Sequence, residues 1–91
     1  MKIKEGFLLR PLADTFVVVP VGQAAVDLRG MITLNGTGAF LWQALQTEQT
    51  EQALVDAVLE TYEVTPDVAA QDVTRFLELL RTNELLEGTK A

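Results

Sequence analysis

The sequence predicts an α+β fold: a small three-stranded antiparallel sheet followed by three helices, in a winged helix-turn-helix arrangement. Three observations predict it. The first third holds short runs of β-branched and aromatic residues, separated by proline and glycine. From Asn35 onward, apolar residues recur at helical spacing in blocks that each open on a capping residue. The second and third blocks are joined by the short Glu63-Val64 turn, which is the helix-turn-helix pattern. With strands first and helices after, the helices are expected to cover one face of the sheet.

The strands come first. Phe7-Leu8-Leu9-Arg10 is an apolar run closed by Pro11, and Ala13-Asp14 reads as a turn. Thr15-Phe16-Val17-Val18-Val19 reads as the second strand. Pro20 ends its ladder or confines it to a sheet edge. Residues 22–30 are turn-rich, with Ala24-Ala25-Val26 as an apolar insert. Met31-Ile32-Thr33-Leu34 reads as the third strand, and Arg29-Gly30 before it is either a turn or a bulge in a longer strand. Between two strands, Asn35-Gly36 would signal a tight hairpin. A helical pattern follows instead, so Asn35 is read as an N-cap whose side-chain oxygen accepts from an orphan N–H. Gly36 and Gly38 follow, where small residues permit close backbone packing.

The first helix is expected over residues 36–46, with Phe40, Leu41, Ala44 and Leu45 on one face. Thr50 caps the second, residues 51–62, and Glu51 suits its dipole. Leu54, Val55, Val58, Leu59 and Tyr62 form its apolar stripe. Thr65-Pro66-Asp67 opens the third with a cap, a proline at the first helical position and an acid. That helix runs to Thr82 with Ala69, Val73, Phe76, Leu77 and Leu80 inward, and Asn83 stops it. Leu85-Leu86 then folds back as an apolar tail or short strand. With 91 residues, one domain is expected over 1–91, with its core at about residues 7–86 and a frayed tail at 87–91.

Composition narrows the function. There is no cysteine and no histidine. Disulfides, thiolate metal sites and cysteine nucleophiles are excluded, and so is the commonest general base. Zinc would need carboxylates alone, so no metal and no cofactor is expected. No paired groups sit on a recognisable phosphate loop or strained nucleophile turn, so no enzyme activity is expected. The net charge of −6 opposes nucleic acid and anionic membranes. No apolar run approaches the roughly 20 residues of a membrane span. The N-terminus lacks a signal-peptide pattern, so a cytoplasmic location is expected.

Leu34-Asn35-Gly36-Thr37-Gly38-Ala39-Phe40-Leu41-Trp42 resembles the Leu-Asn-x-x-Gly-Ala-x-Ile-Trp run of PqqD-like proteins, also called RiPP recognition elements. The second helix opening at Thr50 and Leu54 agrees, as do Asp72-Val73, Phe76-Leu77, Leu80 and Leu85-Leu86. The resemblance covers about residues 7–86. It departs at Gly36, where the family often has an acid. It implies a winged helix-turn-helix peptide-binding chaperone without catalysis. Such a module binds the leader of a ribosomally made precursor peptide by strand addition and presents it to a modifying enzyme, commonly a radical S-adenosylmethionine protein.

The resemblance implies that the leader pairs with the third strand and lies against the third helix. Met31, Ile32, Thr33 and Leu34 would then form the pairing edge. Strand alternation sends Ile32 and Leu34 to one face and Met31 and Thr33 to the other, with Leu34 in the core. Asp72, Arg75, Phe76 and Leu79 would form the far wall, and Asp72, Phe76 and Leu79 share a helix side. Each residue also has an ordinary reading. Phe76 and Trp42 suit a core, and Met31 suits a gap-filler. Leu79 lies off the main apolar stripe, and Arg75 is spaced to pair with Asp72 or Glu78. An unfilled edge invites self-pairing, so the state is a monomer or an edge-strand dimer. The rival functions are a DNA-binding winged helix, which the acidic second and third helices oppose, and a protein-interaction module without leader binding.

Overall fold

The computed structural model describes residues 1–21 and 32–87. Along these residues the order is β1 (Lys2–Ile3), β2 (Phe7–Leu12), β3 (Thr15–Pro20), β4 (Ile32–Leu34), α1 (Gly36–Ala44), α2 (Glu51–Thr61), α3 (Pro66–Thr82) and β5 (Leu86–Glu87). β2, β3 and β4 form a three-stranded antiparallel sheet, and the three helices follow it. The expected turn at residues 22–30 and the site residue Met31 lie outside the described residues.

The sheet is a hairpin plus one short strand. β2 and β3 turn at Ala13-Asp14, where Ala13 takes φ 54°, a left-handed value that tight hairpins require. The ladder does not stop at Pro11. It runs on through Pro11↔Phe16 and Leu12↔Thr15. β2 is an edge strand, where a missing N–H is tolerated. Pro20 closes the ladder opposite Phe7, yet β3 is the central strand, not an edge.

Period-2 alternation then sorts the side chains. Leu9, Val18 and Ile32 align across the sheet on the core face, beside Phe16 and Leu34. Val18, Ile32 and Leu34 are buried. Against them pack Leu41, Trp42 and Leu45 of the α1 segment, Leu54 and Val58 of α2, and Val73, Phe76, Leu77 and Leu80 of α3. Trp42 is only 1% exposed, so its use is structural. Phe40 and Tyr62 close the α1–α2 side with an edge-to-face contact at 5.5 Å.

The helix ends follow their expected chemistry. Asn35 Oδ1 accepts from Gly38 N at 2.8 Å, Thr50 Oγ1 from Ala53 N at 3.1 Å, and Thr65 Oγ1 from Val68 N at 3.3 Å. α1 stops at Ala44, two residues short of the expected end. α3 ends in a Schellman turn: Glu84 N donates to Arg81 O, and Leu85 N donates to Leu80 O. Its left-handed position is Glu84 at φ 57°, where glycine is usual. The turn sends Leu85 and Leu86 into the core, and β5 pairs with β1. β1 is an element the sequence reading lacked. Its Ile3 is buried and donates its N–H to Leu45 O at 3.0 Å.

Candidate functional site

The candidate site is a groove of about 350 Å³ between β4, the first turn of α1 and one side of α3. Each wall has a local cause. Asn35 ends β4 and caps α1 in a single residue, so the strand passes directly into the helix. Gly38 makes that junction close: a Cβ there would sit 3.2 Å from Leu34 Cβ and 3.3 Å from Asn35 Oδ1. Gly36 has no such constraint, because a Cβ would meet nothing within 4 Å. Close packing therefore explains Gly38 and not Gly36.

The α3 wall follows from helical spacing. Asp72, Arg75, Phe76 and Leu79 lie at i, i+3, i+4 and i+7 and all line the groove. Phe76 is 6% exposed, so it serves the core and the groove floor together. Leu79 is half-buried, packed against the core cluster and turned to the groove. Asp72 is half-buried and Arg75 exposed. Among the described residues the only ion pair joins the N-terminal ammonium to Glu48. Arg75 is thus not paired with Asp72 or Glu78, despite the helical spacing. Among the described residues the Asp72 carboxylate and the Arg75 guanidinium have no ion-pair partner, and both sit above an apolar floor.

The structure brings Thr33, Leu34, Asp72, Arg75, Phe76 and Leu79 together around this groove. Ile32 is not among the lining residues; its side chain is buried on the core face. Asn35, Thr37, Gly38 and Leu41 also line the groove, and the sequence reading omitted them as site residues. A signal for them existed. A cap directly after an edge strand puts the first helical turn at the end of whatever runs beside that strand.

β4 is the outer strand opposite β2, and it pairs only with β3 among the described residues. Among the described residues nothing pairs with its other side, the side on which an edge strand presents backbone donors and acceptors. Among the described residues, no cluster of acidic residues is placed to hold a metal ion. No helix there is long and apolar enough to cross a membrane.

The family described as coenzyme PQQ synthesis protein D (PqqD) matches residues 16–86. The chain belongs to the PqqD family. The match takes in β3, β4, all three helices and the start of β5, hence both walls of the groove. This PqqD-family chain is also similar to a solved structure, TbiB1 in complex with the TbiA(beta) leader peptide. Identity is 25%, TM-score 0.73, and the likeness covers all of both chains. None of the curated proteins matches the chain.

Proposed function

We propose that this chain is a non-catalytic RiPP recognition element. It binds the leader of a ribosomally made precursor peptide and presents it to a modifying enzyme in the cytoplasm, where such precursors are made. The leader adds as an antiparallel strand to β4 and lays side chains into the groove against α3. The observation that carries this reading is the groove itself. An edge strand whose outer side has no partner among the described residues lies beside an apolar helix wall, in a PqqD-family chain similar to TbiB1, which was solved with a leader peptide.

Magnitudes divide the labour. β4 is three residues long, so strand addition makes only a few backbone hydrogen bonds, worth roughly 0.5–1.5 kcal/mol each. Burying one large aliphatic or aromatic side chain contributes about 1.5–3 kcal/mol. A micromolar complex needs about 8 kcal/mol. The edge therefore supplies register, and the floor of Leu34, Leu41, Phe76 and Leu79 supplies much of the affinity and the selectivity. Asp72 and Arg75 then discriminate leaders by charge. The enzyme that receives the leader is proposed to be of the radical S-adenosylmethionine class, the common partner in PqqD-like systems.

The test is an NMR titration of labelled protein with leader peptides encoded beside its gene. Shifts concentrated at residues 32–34 and 72–79 are the expected result. No shifts with any neighbouring leader, even with the modifying enzyme present, would overturn the reading.

A further inference from the structure

The sheet has a second face, and its composition is wrong for water. An antiparallel sheet covered on one side normally shows polar residues on the other. Here the outer face holds Leu8, Arg10 and Leu12 of β2, Thr15, Val17 and Val19 of β3, and Thr33 of β4. Four of these seven are large and apolar. Leu8 is 44% exposed and Leu12 53%, with Val17 and Val19 half-buried beside them. The runs Phe7-Leu8-Leu9 and Phe16-Val17-Val18-Val19 read as strands covered on both faces.

Charge says what covers it. The chain carries 13 acidic residues, yet none of the seven is acidic. Arg10 is the face's single charge, and it has no ion pair among the described residues. The fitting partner surface is apolar, with a carboxylate opposite Arg10. A second copy of this face does not supply that carboxylate; it brings another arginine.

Area adds a further condition. Two strands of six residues and one of three cover on the order of 240 Å². A stable interface needs about 800 Å² per partner. A leader strand added to β4 would widen the sheet by about 4.8 Å and place alternate side chains beside Thr33 on this face.

We infer that the outer face of β2, β3 and β4 docks the modifying enzyme, and that a bound leader strand extends this surface, the remainder of the contact lying beyond the sheet. This rests on the leader-adaptor reading above. The enzyme then touches adaptor and substrate at once, so it prefers the loaded adaptor.

The experiment uses the full chain, the synthetic leader and the modifying enzyme from neighbouring genes. Enzyme affinity is measured by calorimetry with and without leader, and leader affinity separately by anisotropy of a labelled peptide. Leader is expected to tighten enzyme binding about tenfold, and Leu8→Glu with Leu12→Glu to weaken it at least about tenfold, as loss of central apolar contacts does. Leader affinity of that double variant is expected to stay within about twofold of the parent chain. Circular dichroism confirms that the variant folds; Leu8→Gln with Leu12→Gln serves if it does not. Unchanged enzyme affinity in a folded variant that binds leader normally would overturn the docking face. Enzyme affinity that ignores the leader would overturn the composite surface. A parent chain that sediments as a dimer dissolved by these substitutions would assign the face to a second copy and overturn the proposal. Failure of the parent chain to bind any leader instead contradicts the adaptor reading itself.

Discussion

The two edges of the sheet make an instructive pair. Both β2 and β4 lie at the border, with β3 between them. Among the described residues β2 is the longer strand, six residues against three, and so offers more backbone. Yet β2 carries Pro11, which donates no hydrogen bond, and Arg10, a charge on the edge strand. Proline and charge are the usual devices that blunt an edge. β4 has neither, and α3 stands beside it to make a groove. An open edge alone attracts any strand; an edge with a side-chain wall selects one. The shorter strand is therefore the better site.

The largest expected effect strikes the wall. Phe76→Ala removes a residue that is core and groove floor together, and should cost about 3–5 kcal/mol of stability. Chemical denaturation reads this as a lower midpoint. Leu79→Glu sharpens the comparison, because Leu79 is half-buried and faces the groove. It should weaken leader binding by at least about tenfold, or 1.4 kcal/mol, and change stability by less than about 1 kcal/mol. Equal leader affinity in the folded Leu79→Glu protein would remove α3 from the site.

Pro11→Ala tests the other edge. It restores a donor to β2, so the protein should self-associate more at high concentration in sedimentation, while leader affinity stays within about twofold. A gain in leader affinity would mean that β2 also accepts the peptide. The smallest effects lie at helix ends. Glu84→Gly relieves a left-handed position in the α3 turn and should raise stability by about 1 kcal/mol in thermal unfolding. Gly36→Glu meets open space in the first turn of α1 and should add about 0.5 kcal/mol through the helix dipole.

These residues also show what a sequence discloses. The caps at Asn35, Thr50 and Thr65 were legible because each is a local hydrogen bond between near neighbours. The α3 wall was legible because helical spacing alone puts residues 72, 76 and 79 on one side. β1 was not, because two residues gain a partner only from the far end of the chain. Nor was the course of the proline strands: whether Pro11 ends a strand depends on which edge it occupies, a tertiary fact. The α1 contribution to the groove depends on how closely Gly38 approaches Leu34, which no periodicity encodes. The missing pairing of Arg75 is likewise geometric, since its spacing from Asp72 and Glu78 permits a bond that the structure does not form.

On this reading the leader pairs with β4 and not with β2. Amide hydrogen exchange measured with and without saturating leader tests it most directly. Added protection is expected within residues 32–34 and none within residues 7–12. Protection gained in β2, or leader binding with no gain anywhere in the sheet, would contradict strand addition at the β4 edge.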